Sequence, residues 1–260
     1  MNLIQNFISD LPMYLLSLPI VLLSLSVHEC CHGYVALKLG DPTARNFGRL
    51  TLNPLKHIDP IGFICMVLFH FGWANPVPIN TRYFKKPRRD MALSALAGPV
   101  SNILLAIVFA ALLRLAVLIG SEFFMADITS IISAYHFKTD LIVSRGFIVF
   151  AMITVMLYFG VIINFGYALF NLIPIPPLDG SRIFYVFLPV KWYFGIMRYE
   201  RIIMFVMLGL LWLGVITVPL NWALNGLENA TFFLFGMGDG TDSYYVFRWI
   251  EHYVASMLTR

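Results

Sequence analysis

Charged residues are scarce in this chain. Asp, Glu, Lys and Arg make up only 12% of its 260 residues, while 59% are hydrophobic and mean hydropathy is +0.79. A soluble domain carries about 25% charged residues, so the composition predicts an integral membrane protein. The formal charge of +4 does not indicate a nucleic-acid binder, because the basic residues cluster beside apolar runs, where they report membrane orientation.

Cysteine is scarce as well. The three cysteines, Cys30, Cys31 and Cys65, form neither a Cys-x-x-Cys pair nor an even-numbered disulfide framework. Each lies in or next to an apolar segment, so we interpret them as buried thiols, with a metal or redox role for the adjacent pair as the alternative. Lys and Arg are absent from the first ten residues, which therefore lack the basic start of a cleavable signal peptide, and the first apolar run is expected to stay in the mature protein.

Long apolar runs, by contrast, are abundant. A transmembrane helix needs about 20 largely apolar residues. Four segments meet this requirement, at 11–38, 91–119, 146–171 and 202–224. The expected fold is an all-α polytopic membrane protein with about four to six transmembrane helices, since a shallow extra helix near 183–195 would escape a hydropathy criterion.

The basic residues predict the orientation of these helices. Lys and Arg accumulate in 39–90 and 180–201, whereas 120–145 and 225–260 hold more acidic than basic residues. Cytoplasmic loops are enriched in Lys and Arg, so the first two segments are expected in the cytoplasm and the other two outside. The predicted location is the cell membrane, with a chain that crosses it several times.

One motif stands inside the first apolar run, His28-Glu29-Cys30-Cys31-His32. On a helix His28 and His32 share a face, which suits two imidazole ligands on one zinc ion, and Glu29 flanks them where it can reach a water molecule at the metal. Ionisable side chains inside a membrane usually mark a functional site; core histidines of an amphipathic helix are the alternative. Lys38 lies ten residues after His28, so the motif is roughly 15 Å inside the end of its helix, towards the cytoplasmic side.

A catalytic zinc ion usually has three protein ligands, so one more must come from elsewhere. The run from Asn171 to Gly180, NLIPIPPLDG, ends the third apolar segment on the same cytoplasmic side. Its prolines cannot continue a regular helix, so the chain is expected to unwind and turn Asp179 towards the site. From spacing alone, a turn aspartate without a ligand role is an equally good interpretation of Asp179, and His70 is a weaker alternative ligand.

The connection 39–90 contains sequence patterns that are typical of secondary structure and not of a simple loop. Residues 47–52 alternate between apolar and polar as a strand does, and the apolar piece 61–73 is too short to span a membrane. We expect a cytoplasmic strand-like hairpin and a re-entrant segment beside the site, with an irregular loop as the alternative. Residues 1–225 form the predicted core and 226–260 a C-terminal tail, whose amphipathic helix is expected along a membrane surface.

Three motifs together resemble a known family. His28-Glu29-x-x-His32, then Ala97-Gly98-Pro99-x-x-Asn102, then Asn171-x-x-Pro-x-Pro-x-Leu-Asp-Gly180 are similar, in this order, to the motifs of the site-2 protease family of intramembrane zinc metalloproteases. The resemblance covers roughly residues 20–185. Cys31 departs from it, because glycine is frequent before the second histidine, but that position is not a ligand and the chemistry is not put in doubt.

The resemblance implies one Zn²⁺ per chain, held by His28, His32 and Asp179, with Glu29 as the catalytic general base. It also implies that Asn102 and Asn171 hold the substrate backbone. Part of 45–80 would then pair with an unwound transmembrane segment of a substrate protein by strand addition. The chain is similar to minimal family members that lack PDZ or CBS domains.

Two other functions stay open at this point. A catalytically silent membrane-protein binding module of the same fold would not need Glu29. A metal transporter would need ionisable residues that continue through the membrane, whereas here they concentrate near one face, with Arg114 alone well inside the second span. We expect an intramembrane zinc metalloprotease that hydrolyses peptide bonds within or near transmembrane segments, whose partners are a transmembrane protein substrate and the lipid bilayer and not nucleic acid.

Overall fold

The computed structural model describes residues 3–69, 72–124, 126–129, 144–238, 241, 247–248, 250–251 and 254. Its helices are, in chain order, α1 (Leu3–Lys38), α2 (Thr43–Asn46), α3 (Pro60–Phe69), α4 (Pro87–Phe123), α5 (Arg145–Leu172), α6 (Asp179–Phe184), α7 (Val190–Met197), α8 (Glu200–Trp212) and α9 (Thr217–Leu234). Short 3-10 helices occupy Pro54–Lys56, Thr81–Tyr83 and Tyr185–Phe187. The all-α class is confirmed for this part of the chain.

Among the described residues, three helices are long and apolar enough to cross a membrane by length and composition, namely Leu11–Lys38, Pro87–Phe123 and Arg145–Leu172. They correspond to the first three predicted spans. The fourth, 202–224, is not one helix, because α8 ends and Gly214 takes a φ of 80° before α9 begins. That backbone conformation favours glycine, and Pro219 fits the first turn of the new helix. The predicted count of four to six spanning helices is therefore not confirmed.

The predicted strand-like hairpin is not found either. Within the described part of 45–80 there is no strand, and the sheet-like feature that does occur is an isolated antiparallel bridge between Ile58 and Ala74. Over 47–52 the reason is local. Gly48 takes a φ of 63°, and the amides of Gly48 and Arg49 donate back to the carbonyls of Arg45 and Ala44. Residues that alternate like a strand thus lie in a turn.

The apolar piece 61–73 forms α3 over Pro60–Phe69, a helix of 10 residues. At about 1.5 Å per residue such a helix cannot cross a bilayer, which agrees with the sequence argument. The residues on either side of this helix are joined by the antiparallel bridge between Ile58 and Ala74. Whether this piece dips into a membrane stays a prediction.

The chain divides into two compact units. The first contains Met1–Val21, Leu105–Ile163 and Gly226–Arg260, and the second contains Leu22–Leu104 and Asn164–Asn225. Among the described residues, one buried apolar cluster of the first unit contains Ile128, Phe147, Ala151, Val155, Ile250 and Val254. The predicted boundary at residue 225 stays a prediction.

The C-terminal tail contributes to the core of the first unit. Ile250 and Val254 are fully buried in it, and Phe247 is nearly so. These three residues share one helical face. The face packs into protein. Whether this helix also lies along a membrane surface stays a prediction. The remainder of the predicted tail helix lies outside the described residues.

The second unit buries a set of polar side chains within otherwise apolar helices. Buried polar groups are costly unless they are hydrogen-bonded or bind a ligand, so this set marks the place for a site. Its members on α1, α4 and α5 are Ser24, Ser26, His28, Glu29, His32, Asp90, Ser94, Ser101, Asn102 and Asn164.

Candidate metal centre

Three side chains converge where α1 meets the start of α6. His28 and His32 are one turn apart on α1, and Asp179 is the first residue of α6. Asp179 Oδ2 lies 3.1 Å from Nε2 of each histidine, and the two Nε2 atoms are 2.9 Å apart. One donor atom from each residue lies within 4.8 Å of the others, so the three could hold one metal ion. These are the three residues that the family resemblance predicts as metal ligands.

Hydrogen bonds fix the far side of both imidazole rings. His32 Nδ1 donates to the carbonyl oxygen of Ser94 at 2.8 Å, since a carbonyl can only accept. His28 Nδ1 donates to Asn102 Oδ1 at 2.5 Å. With protons on both Nδ1 atoms, both Nε2 atoms present lone pairs to each other and to the carboxylate of Asp179. Acceptors this close repel one another, and a cation between them removes the repulsion.

The donor set and its spacing fit zinc. Zinc takes imidazole nitrogen and carboxylate oxygen at about 2.0–2.1 Å, which places two ligands of a tetrahedral site roughly 3.3 Å apart. The observed separations are 2.9 and 3.1 Å. A carboxylate binds a metal ion in its ionised form, so Asp179 would supply the one negative charge among the three ligands.

Gly98 on α4 leaves room for the two rings. A Cβ atom at this position would lie 2.5 Å from Nε2 of His32 and 2.6 Å from Cε1 of His28. Contacts that short are repulsive, so a side chain here would displace the imidazoles. The Ala97-Gly98-Pro99 motif contains this glycine without showing what it packs against, although a glycine inside a helix often has a packing reason.

The proline-rich turn positions Asp179. Helix α5 ends at Leu172, and Leu178 caps α6 in an extended conformation with φ −68° and ψ 155°. A Cβ atom on Gly180 would collide with the carbonyl oxygens of Leu172 and Ile173. Only glycine lets α6 start this close to the end of α5. The chain therefore unwinds here, as its prolines indicated, and turns Asp179 towards α1.

Glu29 lies beside the ligands on α1 and is 8% exposed. Its Oε2 accepts a hydrogen bond from the main-chain amide of Val77 at 2.9 Å. The side chain of Val77 also approaches α1, because a Cβ atom on Gly33 would lie 3.0 Å from Val77 Cγ1. The chain that follows α3 thus folds back over the His-Glu-x-x-His motif.

The two predicted substrate-binding asparagines are placed differently. Asn102 is fully buried, and it bonds to His28 through Oδ1 and to Asn164 Oδ1 through Nδ2, the latter at 2.7 Å. Asn171 is partly buried, and its Nδ2 donates to the carbonyl of Tyr167 on its own helix at 3.0 Å. Substrate contact by either residue stays a prediction.

Among the described residues, no further histidine joins this cluster. His57 is buried, and its Nε2 donates to the carbonyl of Thr51 at 2.8 Å. His70, His136 and His252 lie outside the described residues. Sequence reasoning missed Asn164, although a lone amide within the apolar run of α5 is a signal of its own.

The described structure is helical, with three helices long and apolar enough to cross a membrane. Two histidines and one aspartate form its candidate metal centre. A model of Peptidase family M50 matches residues 17–214, which include the whole centre. The chain belongs to peptidase family M50, and this confirms the family that its motifs resemble.

Two curated proteins are similar in sequence. "Putative zinc metalloprotease YwhC" of Bacillus subtilis is 43% identical over 163 residues, which cover 63% of this chain and 64% of that protein. "Putative zinc metalloprotease Rip2" of Mycolicibacterium smegmatis is 33% identical over 99 residues, which cover 36% of this chain and 38% of that protein. The chain thus spans less than two thirds of the length of these relatives. No solved structure matches it.

Proposed function

We propose that this protein is a zinc metalloendopeptidase that hydrolyses peptide bonds within or near transmembrane segments of membrane proteins. The convergence of two Nε2 atoms and one carboxylate oxygen within about 3 Å, with Glu29 next to them, carries the proposal. Membership of peptidase family M50 supports it. Both similar proteins are named as zinc metalloproteases.

His28, His32 and Asp179 would hold the zinc ion, one per chain. When bound, zinc would polarise a substrate carbonyl as a Lewis acid and make a nearby water molecule more acidic. Neighbouring groups of the protein keep these donors in place. Asn102 and the Ser94 carbonyl bind the Nδ1 atoms, so both rings keep the tautomer with a free Nε2 lone pair.

Glu29 acts as the general base. Its carboxylate takes a proton from the attacking water and then returns it to the amine that leaves. The amide of Val77 holds Oε2, so we assign proton transfer to Oε1. Burial of the side chain limits competition from bulk water for this carboxylate.

The substrate class follows from the position of the site along α1. His28 precedes the end of the helix at Lys38 by ten residues, or roughly 15 Å. We place the centre inside the bilayer and towards its cytoplasmic face, because the basic residues lie on that side. A peptide bond in a transmembrane helix is shielded by its own hydrogen bonds. The substrate must therefore unwind locally before attack.

The test compares cells that express wild type or Glu29→Gln, with Glu122→Gln as the control because that glutamate is exposed. Quantitative proteomics would identify membrane proteins that release a cytoplasmic fragment. We expect fragments with wild type and the control, and their loss with Glu29→Gln. Equal release by Glu29→Gln would exclude this mechanism. Full biological function of Glu29→Gln without any cleavage would favour the silent binding module.

A further inference from the structure

A chain of buried hydrogen bonds extends from the metal centre through three helices of the second unit. His28 Nδ1 donates to Asn102 Oδ1 on α4, and Asn102 Nδ2 donates to Asn164 Oδ1 on α5. Asn164 Nδ2 then donates to Ser24 Oγ on α1 at 2.8 Å. Asn102, Asn164 and Ser24 each have no exposed surface. We call these three residues the amide chain.

The direction of the amide chain decides which nitrogen of His28 carries the proton. In the observed direction every amide N–H points away from His28, so Asn102 offers its oxygen to Nδ1 and the lone pair of His28 is on Nε2. If both amides were reversed, Asn102 would offer N–H to Nδ1, and the ring proton would move to Nε2, the ligand atom. A proton on Nε2 excludes metal binding there.

Asn164 contacts Asn102 on the side away from His28. With its oxygen towards Asn102, it requires Asn102 to keep its Nδ2 on that side and its Oδ1 on His28. The hydroxyl of Ser24 accepts a proton from Nδ2 of Asn164 and so completes the chain in this direction.

We infer that Asn164 and Ser24 are positioning residues that hold His28 in its metal-binding tautomer through Asn102. The inference rests on the proposed function only in taking zinc as the bound ion. Groups of this kind behind a ligand histidine typically change metal affinity by about 10–100-fold when they are removed. A purely structural role of the two residues would lower stability and leave zinc affinity of the folded protein unchanged.

The experiment uses the full chain, purified in detergent and loaded with zinc, and measures zinc retention against a competing chelator. Asn164→Leu keeps the branched shape, with a larger volume, and removes the hydrogen bonds. Asn164→Asp keeps an oxygen towards Asn102 and is the rescue variant. Ser24→Ala removes the last acceptor. Ser26→Ala is the matched control, because its hydroxyl is equally buried but donates to the Leu22 carbonyl of its own helix at 2.7 Å.

We expect Asn164→Leu to lower zinc affinity about 10-fold or more, Ser24→Ala to lower it less, and Asn164→Asp and Ser26→Ala to stay close to wild type. The visible spectrum of the cobalt-loaded protein should change for Asn164→Leu and not for Ser26→Ala, because it reports the ligand geometry. Unchanged affinity and spectrum in Asn164→Leu, or equal losses in Asn164→Leu and Asn164→Asp, would overturn the inference. If Asn164→Leu fails to fold, the zinc affinity of Ser24→Ala is the test. An affinity equal to that of Ser26→Ala would then overturn the inference.

These outcomes separate the inference from the proposed function. A wild-type protein that retains no zinc would overturn the proposed function and the inference with it. A wild-type protein that retains zinc, with Asn164→Leu retaining it as tightly, would overturn the inference alone. Neither result depends on knowing the protein substrate.

Discussion

The main-chain amide of Val77 donates to Oε2 of Glu29 at 2.9 Å, across 48 positions of sequence. Val77 stands between Pro76 and Pro78, neither of which has an N–H group. Within this tripeptide the amide of Val77 is therefore the main-chain donor available to the carboxylate. The connection that follows α3 thereby sets the position of the proposed base.

Glu29→Asp tests how closely this position matters. The shorter side chain keeps the charge but cannot place its carboxylate both at the Val77 amide and at the proton it must accept. A misplacement of about 1 Å can cost roughly 100-fold in rate, so we expect a loss of that order in cleavage of a membrane-embedded substrate. Zinc content should remain normal, because Glu29 is not a proposed ligand. Wild-type cleavage by Glu29→Asp would show that the Val77 contact does not position the base.

Asp179→Ala tests the third ligand. Loss of one ligand of three opens the site to water, so we expect zinc affinity to fall by more than the roughly 100-fold upper range for outer-shell changes. Metal analysis of the purified protein measures this, with Asp59→Ala as the control because Asp59 Oδ1 accepts from the Gly62 amide and lies outside the cluster. Normal zinc content in Asp179→Ala, with loss in His70→Ala, would assign the third ligand to His70.

Gly98→Ala tests the space in front of the imidazoles. Its Cβ atom would lie 2.5 Å from the Nε2 of His32, so the rings must move or the helices must separate. We expect weaker zinc binding and a stability loss of about 1–3 kcal/mol, typical of overpacking. The matched control is Gly166→Ala on α5, where a Cβ atom meets nothing within 4 Å. There alanine should raise helix stability by up to about 1 kcal/mol, so the two variants should shift the melting temperature in opposite directions.

The orientation in the membrane is tested with topology reporters. Fusions after residue 89 and after residue 195 should report the cytoplasm, because basic residues accumulate at 82–89 and 191–201. A fusion near residue 130 should report the outside. A cytoplasmic signal at residue 130 would contradict the arrangement in which both metal-binding motifs open to one face.

Part of the fold could be derived from the sequence and part could not. The three long apolar helices follow from composition, since a continuous apolar run of about 20 residues has few other ways to satisfy its backbone in a membrane. The alternation over 47–52 misled, because Gly48 allows a turn that a period-two pattern does not reveal. For 202–224, hydropathy could not show the break at Gly214, because an average over a window is insensitive to one backbone angle.

For the site, the sequence by itself determined that His28 and His32 can serve one metal ion, because a spacing of four residues brings two side chains together on any helix. It also offered Asp179, through prolines that end a helix. Only the tertiary structure decided what stands behind these ligands. The Ser94 carbonyl, the Val77 amide and Asn102 reach the motif across 62, 48 and 74 positions. Main-chain groups are the same in almost every residue, so the sequence could not single out the Ser94 carbonyl or the Val77 amide. The packing of α1 against α4 and the fold of the connection after α3 selected them.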